Sequence, residues 1–208
     1  MIEFLLSTFV TFFVVVDPPG IAPMFISLTH AVSAVERRRI ALRGVAIATG
    51  VLFAFALGGG ALLDVLGIGI PAFRVAGGVL LLLLSIDMVM VRPSGLRATT
   101  ESEEAEASQR HDVTVFPLAI PLIAGPGAIA SVVLAMGKTA GDPLHQALLL
   151  LVLLSVLVLT ALLLLAADRL LRLFGRTGLN VLTRVFGILL AALAVQFVID
   201  GLKAAFAT

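Results

Sequence analysis

The sequence predicts an all-α, polytopic membrane protein of six transmembrane spans, built as two inverted-topology three-helix repeats with broken first and fourth helices. Three observations carry that fold class. Of the 208 residues, 60% are hydrophobic and only 13% are charged, with a mean hydropathy of +1.17; a soluble domain is about half apolar and a quarter charged. Apolar stretches of roughly 20 residues recur along the chain, the length a ~30 Å hydrocarbon core demands. Finally, short Gly/Pro and Arg/Gly motifs recur in the two halves at nearly constant offset.

The spans fall at about 3–33, 40–63, 70–91, 113–137, 145–166 and 180–202. The first opens MIEFLLSTFV, with a glutamate and no basic residue, so it reads as a membrane segment rather than a cleaved leader. It is too long for one straight crossing and is interrupted by DPPG at 17–20. The second places Gly50, Ala54 and Gly58 at helical spacing, a face suited to close helix packing. The third begins GIPAFRVAGG. A polar, acidic connection, RPSGLRATTESEEAEASQRHD (92–112), then reads as a flexible cytoplasmic linker between a first repeat (1–91) and a second (113–208). The fourth span contains FPLAIPLIAGPGAIA. The fifth, ALLLLVLLSVLVLTALLLLAA, has neither Gly nor Pro and reads as lipid-facing scaffold, and the sixth contains RVFGILLAALAVQFVIDG.

Arginine placement sets the expected orientation. Arg37, Arg38, Arg39 and Arg43 lie at the first connection, Arg92, Arg97 and Arg110 at the third, and Arg169, Arg172 and Arg176 at the fifth. The other connections and the C-terminal tail hold only Lys138 and Lys203 once Arg74 and Arg184 are assigned to spans. The positive-inside rule then puts the odd-numbered connections in the cytoplasm and both termini outside. There is no cysteine, so disulfides and thiolate metal sites are excluded. His30, His111 and His145 form no metal-ligand spacing. Neither a metal, a cofactor nor a nucleic-acid partner is expected. An intramembrane enzyme would need a nucleophile–base pair or two carboxylates at matched depth; Asp17 and Asp87 come from different depths, so no catalytic residue is assigned.

Residues 74–77 read RVAG and residues 184–187 read RVFG, and PPGIA (18–22) is echoed by GPGAI (125–129). Arg74 and Arg184 are 110 positions apart, and Gly20 and Gly127 are 107 apart, so Arg74, Gly77, Arg184 and Gly187 mark corresponding points of a repeat. Three spans per half is odd, so the second half enters the membrane inverted, as in many secondary transporters.

The two Gly/Pro breaks fall near the midplane of spans one and four. Proline removes a backbone donor and clashes with the preceding turn, and the residue before it avoids helical angles. Each span is therefore expected to split, ending near Val16 and restarting at Pro18, and ending near Ile123 and restarting at about Pro126. Pro117 and Pro121 loosen the fourth span further and free carbonyls that could bind a cation. Irregular backbone at this depth belongs where it is buried or lines a cavity, and paired broken helices are the sequence pointer to a substrate site. The candidate substrate or ion-binding set is Asp17, Pro18, Pro19, Gly20 and Ile21 with Gly125, Pro126, Gly127, Ala128 and Gln196. Asp17 offers a carboxylate to an ammonium, a proton or Na+, or caps the second half-helix by accepting from the Gly20 amide. The bare amides at Gly125 and Gly127 favour a carboxylate. One anionic and one electropositive pole suit a small zwitterion. Gln196 is read as an interhelical hydrogen-bonding group or a substrate contact, and Asp87 and Asp200 as interfacial charges beside Arg92 and Lys203.

At DPPGIAPMF, GIPAFRVAGG, FPLAIPLIAGPGAIA and RVFGILLAALAVQFVIDG the chain resembles the MarC family of bacterial and archaeal inner-membrane proteins, over nearly its whole length. That resemblance implies a six-span protein of the inner (plasma) membrane, grouped with neutral amino acid transporters and distantly with LysE-type exporters. Two departures stand out. The family pattern is close to D-P-x-G-N-x-P, whereas Ile21 occupies the asparagine position here, and Ala130 and Ser131 stand where relatives often carry threonines. The expected function is secondary transport of a small solute, foremost a neutral amino acid, with H+ or Na+ as candidate coupling ion. A channel or a non-transporting regulatory membrane protein is the alternative. The partners expected are that small-molecule substrate and the lipid bilayer, with a homo-oligomer left open.

Overall fold

The computed structural model describes residues 1–90 and 113–207. The acidic connection assigned to 92–112 lies outside the described residues. Within them the chain is helical, and five helices are long and apolar enough to cross a membrane, or six when one bent pair is counted as a span.

The breaks expected from the prolines occur where the chain loses its donors. α1 (Ile2–Val16) ends and α2 (Pro18–Leu28) begins on either side of Asp17, which adopts a left-handed conformation with φ 53° and ψ 59°. α3 (Ala34–Val65) starts from a Ser33 cap whose hydroxyl accepts from the Glu36 amide at 3.2 Å, an S-x-x-E start. α4 spans Ile70–Met90. The fourth span opens with a π-wound segment, Thr114–Ile123, interrupted by extended residues at Phe116 and Ile120. Each of those residues precedes a proline, which disfavours helical angles. The chain bends by 55° and continues as α5 (Pro126–Lys138). α6 (Pro143–Leu165) begins with Pro143 behind an Asp142 cap, and α7 (Ala167–Phe206) is kinked at Gly175, where φ is 64° and ψ 174°. The fifth connection is therefore itself partly helical, an arrangement the arginines of that stretch did not disclose.

α4 and α7 pack most extensively, antiparallel, because glycines remove the side chains that would hold them apart. A methyl group on Gly78 would lie 2.8 Å from the Ala194 carbonyl, one on Gly187 2.9 Å from Met88 Cβ, and one on Gly201 2.9 Å from the Pro71 carbonyl. Antiparallel packing puts Arg74 and Arg184 at opposite ends of the bundle. The repeat-motif glycines have unlike neighbours, however: Gly187 faces α4, whereas Gly77 faces Ala130 of α5, its notional methyl 3.0 Å away. α5 in turn packs on α3, where Gly59 admits Val133.

Two expectations about packing faces are corrected. Gly50 and Gly58 have nothing within 4 Å and point out of the bundle, and Ala54 is exposed; α3 packs instead through Gly44 against Leu118 and Gly59 against Val133. Small residues occur on both faces of α3, so spacing alone did not select the packed one. The fifth span is also more than a lipid-facing scaffold. One stripe of α6, from Leu149 through Leu153 and Leu157 to Leu164, is buried, and α6 touches α1, α2 and α3. Its uniform leucine content conceals that stripe.

The described connections gather at two ends. At one, the Phe4 ring meets His145 edge-on at 4.9 Å, and Lys138 Nζ lies 5.9 Å from the Phe197 ring centre. At the other, Arg37 Nη1 donates to both Asp168 carboxylate oxygens at 3.0 and 2.8 Å, and Nη2 donates to the Thr29 carbonyl at 3.0 Å. Both partners are partly solvated, so the pair contributes about 0–1 kcal/mol.

Two outcomes are expected. Gly78→Leu should destabilise the purified protein by about 1–3 kcal/mol through overpacking, while Gly50→Leu should stay within about 0.5 kcal/mol of wild type; thermal unfolding in detergent measures both. Asp142 accepts from the His145 amide at 3.1 Å and contacts its ring nitrogen at 2.6 Å, chiefly the backbone bond holding its carboxyl below the ordinary range. A depressed carboxyl stabilises the fold above its unfolded pKa and loses that contribution as pH falls through the folded one. The difference in melting temperature between wild type and Asp142→Asn should therefore be constant at neutral pH and shrink only in acid, below the ordinary aspartate range.

Candidate functional site

Asp17 closes two helices at once. Its amide donates to the Phe13 carbonyl at 2.9 Å, ending α1, and its carboxylate Oδ1 accepts from the Gly20 amide at 3.2 Å, starting α2. Its own carbonyl also accepts from the Gly20 and Ile21 amides, both at 3.1 Å. Aspartate is one of the few non-glycine residues that tolerate the left-handed region, because its short side chain bonds locally. Asp17 is 0% exposed. Gly20 is required beneath it, since a methyl group there would collide with the carboxylate. Pro18 and Ile21 are buried and Pro19 is half-buried.

At the second break the π-wound turns retain part of the backbone bonding: the Leu118 amide donates to Val113 O at 3.3 Å and the Ala124 amide to Ala119 O at 2.9 Å. The chain then extends through Gly125, and Pro126 takes the first position of α5. The first amides of a helix have no intrahelical acceptor, so Gly127 and Ala128 present the positive end of the α5 dipole. Gly127 sits close against α4: a methyl group there would lie 2.6 Å from Leu81 Cδ2.

One cavity joins these parts. Val15 from the end of α1 and Leu80 and Leu84 from α4 line it together with Pro121–Ile123 and Gly125–Ala128. It offers about 20 Å³ of water-accessible space, room for about one water molecule. Gly125, Pro126, Gly127 and Ala128 thus line a cavity as a set. Asp17, Pro18, Pro19, Gly20 and Ile21 do not line it; the first break reaches it through Val15, two residues earlier. Gln196 is apart from both breaks. It is exposed on α7 and donates to Asp200 Oδ1 at 2.7 Å. The interhelical bond expected of it is therefore replaced by a bond within its own helix, since residues four apart share a helix face.

Val15, Leu80 and Leu84 were not foreseen as cavity residues, because a valine or leucine in an apolar run carries no signal of its own. Ser131, one turn into α5, is not on the cavity wall; it is buried and its hydroxyl has no hydrogen-bond partner. Among the described residues no cluster of His, Cys, Asp or Glu could hold a metal ion.

Comparison with known proteins fits this architecture. The model of the MarC family of integral membrane proteins matches residues 2–206. The chain belongs to the MarC family. It is 38% identical over 205 residues to a UPF0056 membrane protein of Methanocaldococcus jannaschii, covering 98% of each chain. A Bacillus subtilis UPF0056 membrane protein is 32% identical, covering 99% of this chain and 97% of its own. An Escherichia coli relative is 34% identical, covering 95% and 91%. No solved structure matches. This MarC-family chain is thus an integral membrane protein with bacterial and archaeal relatives.

Asp17→Ala should lose about 1–2 kcal/mol for the missing cap, and more for the left-handed backbone, whereas Asp17→Asn should fold almost as well as wild type. Thermal unfolding of the two variants side by side distinguishes them.

Proposed function

We propose that the chain is a secondary transporter of a small solute, foremost a neutral amino acid, working by alternating access around the two broken spans. The observation that carries this reading is the shared cavity: Val15, at the end of one half-helix, and Gly125–Ala128, at the start of another, border the same space. The C-terminal end of α1 carries partial negative charge and the N-terminal end of α5 partial positive charge. An ammonium group would turn toward α1 and a carboxylate toward α5. The walls between them, Val15, Leu80 and Leu84, accept an uncharged side chain. Asp17 then acts from behind, fixing where α1 ends, and its carboxylate is the group to hold a coupling H+ or Na+ if the break opens.

Room for one water is too little for an amino acid, so this conformation corresponds to a closed state, and loading requires the halves to separate. In this reading residues 1–91 and 113–208 are inverted repeats of one three-helix unit. The antiparallel α4–α7 pair and the opposed Arg74 and Arg184 support that arrangement. The arginine distribution supports an inner-membrane orientation with both termini outside.

Counterflow in proteoliposomes loaded with unlabelled alanine tests the proposal. Wild type should transiently accumulate labelled alanine, and Asp17→Asn should fall by about tenfold or more, the loss of one charged hydrogen-bonding group. Gly127→Ala should fall similarly because the added methyl meets Leu81. Accumulation unchanged in Asp17→Asn would confine Asp17 to capping. No accumulation by wild type, with a conductance rising linearly with concentration, would favour a channel and overturn the transporter reading.

A further inference from the structure

A second and larger cavity lies at the end of the bundle where α2 meets α3 and α6 meets α7. It offers about 300 Å³ of water-accessible space, bordered by Phe25, Arg37, Arg38, Leu164, Leu165 and Asp168. Arg37 stands in the first turns of α3, and Asp168 lies just past the end of α6, so the cavity opens at the level where apolar spans give way to charge. Its lining is divided in the same sense. Phe25 and Leu164 are buried and form an apolar floor, while Leu165 is 41% exposed on the outer side.

The electrostatics at its rim are unbalanced. Asp168 is engaged by Arg37 at 2.8 Å, and Glu36 lies 4.0 Å from Arg39. Arg38 is exposed and has no ion pair among the described residues. Arg37 Nε is buried without a hydrogen-bond partner. Arg169 and Arg172 add positive charge on α7, and Arg172 Nε donates to the Asp168 carbonyl at 3.3 Å.

We propose that this cavity binds an anionic phospholipid, its phosphate on Arg37 and Arg38 and an acyl chain along Phe25, Leu164 and Leu165. Basic pockets between membrane helices at the interface attract anionic headgroups, about 1 kcal/mol for each cation near the surface. An apolar floor adjoining cationic walls matches an amphiphile better than a free inorganic anion. The pocket joins the corner of the first half to that of the second, so a bound lipid bridges the same elements as the Arg37–Asp168 pair. The proposal is independent of the transport reading.

The full-length protein in neutral detergent, titrated with phosphatidylglycerol, phosphatidylcholine or inorganic phosphate, provides the test, read by native mass spectrometry and thermal unfolding. Phosphatidylglycerol should remain bound as discrete adducts and raise the melting temperature, while the other two should not. Arg38→Gln should weaken phosphatidylglycerol binding about fivefold, and Leu165→Asp should weaken it by setting a like charge beside the headgroup. Arg43→Gln, off the cavity wall, should leave it unchanged. Equal binding of phosphatidylcholine would reduce the site to a greasy groove, and an equal response to phosphate would make it a free-anion site; either overturns the proposal. So would equal weakening by Arg43→Gln, the mark of diffuse surface charge.

Discussion

The constraint on which the structure depends is that backbone N–H and C=O groups have no water to bond in a hydrocarbon layer. A continuous helix satisfies this automatically. This chain breaks two of its spans and must repair each break locally. At the first, Asp17 accepts from the Gly20 amide through side chain and backbone and donates to Phe13. At the second, the π-wound turns recover some bonds across the prolines, and Gly125 and Pro126 restart the helix with a residue that has no amide hydrogen to lose. Asp17 is thus placed first by backbone chemistry, whatever else its carboxylate does.

The same constraint explains the tightly packed glycines of α4, α5 and α7. Broken half-helices such as α1, α2 and α5 are too short to be held by their own turns, so neighbouring spans must hold them. Gly77 and Gly127 let α4 and α5 approach closely, and Gly78, Gly187 and Gly201 let α7 lie along the whole of α4. In lipid, where burial against a neighbour gains little hydrophobic energy, close van der Waals packing is what favours association. The narrow cavity at the second break follows from it: packing that supports the break leaves space for about one water. The transport cycle proposed above would have to loosen some of these contacts, and the partly exposed Arg37–Asp168 pair at the bundle end is weak enough to yield.

Much of the architecture was legible in the sequence because its signals are local. Five or six apolar helices of spanning length follow from hydropathy, and both break points follow from proline geometry, so Val16/Pro18 and Ile123/Pro126 emerge as expected. Asp17 capping Gly20 is likewise a spacing rule. Less legible was anything that depends on which helix face meets which neighbour. Gly50, Ala54 and Gly58 look as suited to packing as Gly44 and Gly59, yet point outward. Gln196 looks deep and solitary until Asp200, one turn on, takes its amide.

By itself, then, the sequence determined the solvent, the apolar helices, the two helix breaks and the family, because hydropathy, proline stereochemistry and motif order are properties of the chain read in one dimension. Tertiary structure decided that Val15, Leu80 and Leu84 wall a cavity at the second break that Asp17 does not line, and that Arg37 and Arg38 border a second cavity with Leu164 and Asp168. Those residues are far apart in the chain. Their meeting is set by how glycine-lined helices nest, a three-dimensional packing problem to which no single residue's identity supplies the answer.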